Sequence, residues 1–266
     1  MNELRVNSDA AAPAGVQHQD LVEGLAKGLR VIESFDDERP TLTATECAQR
    51  CGITRTAARR HLLTLVHLGY AGTDGKRFWL APRVLRLGNS FLEAARFPRL
   101  VQPFLQQLAE LTHETVNLCV LDGHEVTYLA RSDSQRVLSV GYQRGARSPA
   151  HAVAPGPLLT GLQLSHSELQ TWVREHEFTP FTPYTVTDPN AFLQEVRMAS
   201  ELGYFIAEQQ FHPGFSGLAG ALVDRRGRCH GAIGMAVSSA NWSRPDIEAR
   251  LLPPLLATIA KIRAIL

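Results

Sequence analysis

Residues 41–70 read TLTATECAQRCGITRTAARRHLLTLVHLGY, and this stretch decides the fold of the front of the chain. Thr43-Ala44-Thr45-Glu46 fits a capping box, with a threonine hydroxyl for the amide three residues on and a glutamate that reaches back. It opens a short helix running to Cys51, which Gly52 stops. Thr54 can cap a second helix over 55–68, and Gly69 closes it. Helix, tight glycine-containing turn, helix is the layout of a helix-turn-helix. Just downstream, Tyr70-Ala71-Gly72 and Arg77-Phe78-Trp79-Leu80 flank the turn Thr73-Asp74-Gly75-Lys76. Asp-Gly between two short apolar runs predicts a β-hairpin, which in this position is a wing.

Working outward from this core, residues 1–20 carry Ala, Gln and Asp with Pro13 and Gly15 and read as a disordered tail. Leu21, Leu25, Leu29, Ile32 and Phe35 recur at three- and four-residue steps, which predicts an amphipathic helix with that face packed inward. The acidic turn Asp36-Asp37-Glu38-Arg39-Pro40 ends it. A winged helix-turn-helix domain is therefore expected over 21–81. Residues 82–97 follow as a linker helix with an apolar stripe that includes Leu85, Leu87 and Phe91.

From Pro98 the pattern changes, and 98–266 reads as a second domain. A helix with Leu100, Phe104, Leu105, Leu108 and Leu111 leads into strand-like segments 116–121, 126–131 and 137–140, with Asp122-Gly123-His124 as a hairpin turn. Helices are expected over 156–163, 167–176 and from the Asp188-Pro189 cap to Leu202. Strands over 204–207, 218–223 and 230–237 close the sheet, with Asp224–Arg228 as a turn. The stretch 245–266 reads as helix interrupted by Pro253-Pro254. Because hairpins connect the strands, the fold class is α+β, with an antiparallel sheet and flanking helices.

With 266 residues, 44% of them hydrophobic and 20% charged, the chain can bury two cores and is not disordered. Lys+Arg 27 against Asp+Glu 26 excludes a histone-like or polyanionic protein. The balance hides an asymmetry, because residues 21–92 hold 11 Lys/Arg and 7 Asp/Glu, a net of +4, and the rest carries −3. The 4 cysteines are too few for a disulfide scaffold, and no apolar run reaches signal-peptide or membrane-span length. A soluble, cytoplasmic protein without membrane contact is expected.

The basic half points to nucleic acid. Arg55, Thr56, Arg59 and Arg60 share one face near the start of the second helix, opposite the apolar stripe Ala58, Leu62, Leu65 and Val66. Arginine at that position can meet base edges and phosphates. Thr43 and Thr54 stand at helix N-termini, where backbone amides suit phosphate. Lys76 and Arg77 at the wing tip are placed to follow an adjacent backbone or minor groove. A lone arginine cluster is more often a solvated helix face; the glycine turn, the wing and the local charge tip the reading to double-stranded operator DNA.

Three segments, GLAKGLRVIESF (24–35), ERPTLTATECAQRCGITRTAARRHLLTLVHLGY (38–70) and FWLAPRVLRLGNSFL (78–92), closely resemble the isocitrate-lyase-regulator (IclR) family. Within it they are most similar to regulators of 4-hydroxybenzoate and protocatechuate catabolism. The resemblance extends through RSPAHAVAPGPLL (147–159), FTPYTVTD (181–188) and LGYFIAEQQFHPG (202–214), and so covers nearly the whole chain. It implies a dimerising linker helix, a GAF-like effector domain, and a homodimer or dimer of dimers on palindromic sites, with RNA polymerase as a partner if the protein activates. It further implies that a small acid binds between the sheet and the loop that opens the helix near residue 156. The family's loop carries hydroxyl residues there. This chain has Val153, Ala154, Pro155 and Pro157 instead, and Gln210 and His212 replace acidic positions farther on.

An aromatic carboxylic acid needs a flat apolar slot, a cation or amide cluster for its carboxylate, and a polar partner for any phenol. The candidate effector residues are Asn117, Cys119, Arg131, Tyr142, His151, Gly156, Gln210 and His212. Asn117 and Cys119 alternate along one strand and share a face. The bland roles of these residues are a small core thiol, a structural ion pair and a loop histidine. Cys47 and Cys51 lack two further metal ligands at suitable spacing. Gly214-Phe215-Ser216-Gly217-Leu218 misses the nucleophile-elbow pattern at Leu218, so Ser216 is expected in a loop. No nucleotide-cradling motif is present. Neither catalysis nor a cofactor is expected. The leading expectation is a ligand-responsive activator of aromatic-acid catabolism. The alternative is a DNA-binding regulator that answers to a non-aromatic acid or to no effector.

Overall fold

A computed structural model describes residues 18–36, 38–94, 96–133 and 142–266. The strand expected over 137–140 and nearly all of the expected tail lie outside the described residues. The chain divides into two compact units, one ending at Ala94 and the other running to Leu266.

In the first unit, α1 (Glu23–Glu33), α2 (Ala44–Cys51) and α3 (Arg55–His67) pack on a small antiparallel sheet of β1 (Thr41–Thr43), β2 (Ala71–Thr73) and β3 (Arg77–Leu80), with β3 in the middle. The local signals act as physical devices. Thr43 Oγ1 accepts the Glu46 amide at 3.3 Å while Glu46 Oε2 accepts the Thr43 amide at 2.7 Å, closing the capping box. Thr54 Oγ1 accepts the Ala57 amide at 3.2 Å and opens α3. Gly52 turns the chain between the helices at φ 62°, a conformation that other residues adopt only under strain. In the wing, Asp74 Oδ1 accepts the amides of Lys76 and Arg77 at 2.9 and 2.7 Å. Strand β1 was not expected. It forms because fully buried Leu42 docks the segment beside β3, with Leu42 opposite Phe78.

One expectation fails here. The stripe read as the inner face of α1 is mostly outside: Leu21, Leu25 and Leu29 are 57%, 63% and 45% exposed. Only the last turns reach the core, through buried Val31 with Ile32 and Phe35 against it. The stretch expected as one linker helix is a 3-10 turn, Pro82–Val84, followed by α4 (Leu85–Ala94), on which Leu85, Leu87 and Phe91 are exposed.

In the second unit α5 (Arg96–Thr112) precedes β4 (Val116–Asp122), β5 (Glu125–Ser132) and the short β6 (Arg147–Pro149). Then come α6 (Pro155–Gln163), α7 (His166–Glu175), α8 (Pro189–Leu202), β7 (Tyr204–Glu208), β8 (Phe215–Val223) and β9 (Cys229–Ser238). The chain closes with α9 (Arg244–Asp246), a π-helical turn (Ile247–Leu251) and α10 (Leu252–Arg263). Every pairing in the six-stranded sheet is antiparallel, in the order β6-β5-β4-β9-β8-β7. The terminal stretch is interrupted next to Pro253 and Pro254 as expected: the π-helical turn separates α9 from α10, and the prolines occupy the first turn of α10, where an amide donor is not needed.

Strand alternation sorts the side chains between two faces. Val116, Leu118, Leu218, Ile233 and Met235 pack under α5 and α10. On α5 the buried positions are Val101, Leu105, Leu108 and Ala109, so the expected stripe is turned by one residue, leaving Leu100 and Leu111 44% and 70% exposed. Cys119, Leu121, Val126 and Tyr128 face α6, α7 and α8 on the other side. Leu62, fully buried on α3, anchors the first unit's core. Leu62→Ala is expected to destabilise that unit by about 3 kcal/mol, read as a lowered urea midpoint.

Candidate functional site

The DNA-facing candidates lie in the first unit. Thr54, Arg55, Thr56, Arg59 and Arg60 on α3 and Lys76 and Arg77 on the wing are exposed, while Thr43 is half-buried. The first turn of α3 holds no acid, so Arg55 adds its charge to the positive end of the helix dipole. That is unfavourable for an isolated helix and favourable beside a phosphate. Thr43 is placed differently from the expectation, because its amide is already bonded to Glu46. Arg77 rests its guanidinium 3.3 Å from the Thr41 hydroxyl.

The second unit holds a partly open cavity of about 270 Å³, at the small end for a ligand pocket. Its floor is the sheet: Asn117 and Cys119 on β4, Tyr128 on β5, Gly217 on β8 and Gly234 on β9. Ala152 to Pro155 cover it at the start of α6, and Gln210, Phe211 and His212 after β7 form another wall. The floor stays flat because Gly217 and Gly234 carry no side chain. A Cβ on Gly217 would stand 3.1 Å from the Ala154 methyl. Tyr142 completes an aromatic wall, stacked on Tyr128 at 4.5 Å and 6.4 Å from the His212 ring.

Five of the eight expected effector residues line this cavity: Asn117, Cys119, Tyr142, Gln210 and His212. The other three do not. The Arg131 guanidinium is committed to Asp133 at 2.7 Å and to the Tyr142 carbonyl at 3.0 Å, so it holds the Tyr142 wall from behind. Gly156 is buried beneath the Ala150 carbonyl, where a Cβ would lie 1.6 Å from the oxygen. His151 is fully buried in a chain of rings: its Nε2 lies 3.0 Å from the Thr179 carbonyl and its Nδ1 2.6 Å from His176 Nε2. His176 Nδ1 in turn meets His124 Nδ1 at 3.0 Å, with Trp172 stacked on His176.

Sequence reading missed Tyr128, Phe211, Phe215 and Ser216, all on the cavity wall. Ser216 is in β8, not in a loop, and its hydroxyl meets that of Ser239 at 3.0 Å. Tyr128 was legible, since the Asp122-Gly123-His124 turn sets the register that puts it opposite Cys119.

The cavity is electrically quiet. Burial pushes the Cys119 and Tyr128 pKa values up and carries Tyr142 to about 12, so all three are neutral at pH 7. No Lys or Arg is among its described lining residues. The first turn of α6 offers little in exchange: Pro155 and Pro157 have no N–H, and the Gly156 amide is bonded to the Val153 carbonyl at 2.9 Å. Polar contacts come from the Asn117 amide, the hydroxyls of Ser216 and the tyrosines, and His212.

A winged-helix unit with an arginine-bearing helix, joined to a unit that holds a one-ring cavity, defines a ligand-responsive DNA-binding regulator. The IclR helix-turn-helix domain matches residues 24–75, and the C-terminal domain of the bacterial transcriptional regulator IclR matches residues 90–264. The chain belongs to the IclR family of transcriptional regulators. It is 36% identical to the p-hydroxybenzoate hydroxylase transcriptional activator of Acinetobacter baylyi, over 92% of each chain. A transcriptional regulator from Rhodococcus sp. RHA1 is 32% identical, with a TM-score of 0.74 over 92% of this chain and 98% of that one. The inducer-binding domain of the transcription factor PobR from Acinetobacter, solved as a double mutant with 3-hydroxybenzoic acid, is 27% identical. Its TM-score is 0.61, over 65% of this chain and 100% of that one.

Burial and the neighbouring rings His151 and His124 pull the His176 pKa down to about 3, and burial lowers that of His151. An unfolded histidine titrates near 6.5, so as pH falls below that value the unfolded chain binds protons that the fold refuses. Stability contributed by these rings is full above pH ~6.5 and is lost progressively toward pH ~3. The thermal midpoint should fall between pH 7 and pH 5, and less so in His176→Gln.

Proposed function

We propose that this chain is a cytoplasmic, homodimeric activator of aromatic-acid catabolism, whose second unit binds a hydroxybenzoate-class acid and whose first unit reads a palindromic operator. The observation that carries the reading is the half-open cavity between the sheet and the loop before α6, with an aromatic wall, in a member of a family of regulators. Its volume suits a small one-ring acid, with Tyr142 and Tyr128 on its wall to stack against. The A. baylyi activator and the hydroxybenzoate-bound PobR domain support the ligand class.

Dimerisation is supported by apolar surface in the first unit that is exposed among the described residues: Leu21, Val22 and Leu25 at α1, and Leu85, Leu87 and Phe91 on α4. A single recognition helix reads only a half-site, so two copies are needed for a palindrome. Thr54, Arg55, Thr56, Arg59 and Arg60 enter the major groove, and Lys76 and Arg77 follow the flanking backbone. Effector binding shifts the dimer between arrangements that fit or misfit the operator, and the fitted form engages RNA polymerase. No nucleophile and base are paired among the described residues that line the cavity, and the reading includes no catalysis. No helix among the described residues is long and apolar enough to cross a membrane.

Isothermal titration with 4-hydroxybenzoate should give saturable binding at micromolar Kd, on the order of −8 kcal/mol. The absence of heat with 4-hydroxybenzoate, protocatechuate and benzoate alike would reject the ligand class and leave DNA reading intact. For the first unit, Arg59→Ala should weaken binding to an operator selected from random duplexes by about tenfold or more at fixed salt. Unchanged affinity in fluorescence anisotropy would remove Arg59 from the interface.

A further inference from the structure

His212 lies on the loop between β7 and β8 and is the one exposed residue among the described residues that line the cavity, so it marks the opening. Its ring stands 4.3 Å from the Phe211 ring and 6.4 Å from that of Tyr142, both on the cavity wall. The loop is pinned without using that ring. Thr182 Oγ1 donates to the Gln209 carbonyl at 2.7 Å, and Thr185 Oγ1 to the Gln210 carbonyl at 2.6 Å. The Gly214 amide donates to Gln209 Oε1 at 2.9 Å, and the Phe215 amide to the His212 carbonyl at 3.2 Å. Both imidazole nitrogens are left without a hydrogen-bond partner among the described residues. An aromatic acid reaches the protein as an anion, and the described lining holds no Lys or Arg to receive it. Taking a carboxylate out of water without a counter-charge is unfavourable, whereas the ring itself suits the apolar wall.

We propose that His212 receives the carboxylate of a bound aromatic acid: the ring enters the cavity first, the carboxylate stays at the opening beside the imidazole, and the complex takes up a proton from solvent. This deepens the aromatic-acid reading and rests on it. Histidine is the side chain whose charge changes between pH 5 and 8. Its protonated form alone is a cation, and an anion alongside favours that form. The complex therefore holds the proton to a higher pH than the free protein does, and affinity for the acid rises as pH falls from about 8 to about 6. The proton comes from the buffer and returns to it when the acid leaves. The other titratable groups around the cavity behave differently. Tyr142 on the facing segment, and Cys119 and Tyr128 on β4 and β5, stay neutral, and Arg131 behind Tyr142 is tied to Asp133. Glu195 on α8 is the exception: burial carries its pKa to about 7, and its Oε1 accepts from Gln210 Nε2 at 2.9 Å. An ionised Glu195 would repel a carboxylate and produce the same trend, so the test separates the two.

The test uses the full-length protein, titrated calorimetrically with 4-hydroxybenzoate at pH 6 and pH 8, and at pH 7 in phosphate and in Tris, whose different ionisation heats reveal proton uptake. The wild type should bind about fivefold more tightly at pH 6, the scale of one solvent-exposed ion pair, and should take up a fraction of a proton. His212→Gln keeps a polar side chain without the charge and should bind within about twofold at the two pH values. Glu195→Gln should keep the wild-type dependence. The neutral amide 4-hydroxybenzamide should bind the wild type without proton uptake. A pH dependence that survives His212→Gln, or one that is lost in Glu195→Gln, overturns the assignment while leaving the aromatic-acid reading intact. So does a wild type that binds the acid without proton uptake, or that takes up the same fraction with the amide. If the wild type binds neither 4-hydroxybenzoate nor benzoate at either pH, the aromatic-acid reading fails and takes this inference with it.

Discussion

The second unit turns on a contact between two backbones. The Ala150 carbonyl lies over Gly156 so closely that only a residue without a side chain fits beneath it. That approach folds residues 150–156 back on themselves, presses Ala152 to Pro155 over the sheet, and points α6 away along it. His151 is driven inward by the same bend, into the ring chain that ties this loop to the end of α7 and to the β4–β5 turn. With the loop fixed, Gly217 and Gly234 below it leave room for Ala154 and Pro155 to pack on the sheet. Without the bend, the first turn of α6 would have no reason to lie over β8 and β9, and the cavity would have no cover.

What the cavity lacks is as formative as what it has. An acid-binding site ordinarily supplies a cation or a cluster of amides, and the sequence offered Arg131 as the cation while Pro155 and Pro157 already removed two amide donors from the start of α6. Arg131 is instead tied to Asp133 and the Tyr142 carbonyl, and two prolines with one internally bonded glycine silence the first turn of α6. The cavity therefore offers neutral groups, hydroxyls and amides around an aromatic wall, whose interactions depend on geometry more than on charge. A site of this kind gains discrimination from leaving the wrong ligand's polar groups unmatched.

The first unit was legible because its signals are local. A threonine three residues before a glutamate, a glycine between helices and an Asp-Gly turn each act within one or two turns of chain, and each sits as read. The inner face of α1 was misread for the complementary reason: helical periodicity shows that a face is apolar but not what covers it, and Leu21, Leu25 and Leu29 are left exposed among the described residues. On α5 the apolar residues fall on more than one face, and the sheet selected Val101, Leu105 and Leu108 over Leu100 and Leu111. In the cavity, Asn117 and Cys119 were found through strand alternation. His151 and Gly156 were placed by the resemblance of their loop and Arg131 by its charge. Arg131 and Gly156 are held by near neighbours, Asp133, Tyr142 and Ala150, and His151 meets Thr179 and His176 from another segment. Glu195 carried no signal at all, since only the fold brings a helix glutamate to a glutamine fifteen positions later.

The ring chain has a direction. The Thr179 carbonyl can only accept, so His151 must carry its proton on Nε2 and present a bare Nδ1. His176 must then donate from Nε2, and His124 must donate from Nδ1 to complete the series. One carbonyl thus dictates the tautomer of three imidazoles, whose bond dipoles line up head to tail and reinforce one another. No single ring can exchange its tautomer alone; the three must change together or stay. The loop before α6, the end of α7 and the β4–β5 turn are accordingly joined by one cooperative element with a single proton arrangement, and the cover of the cavity inherits that rigidity.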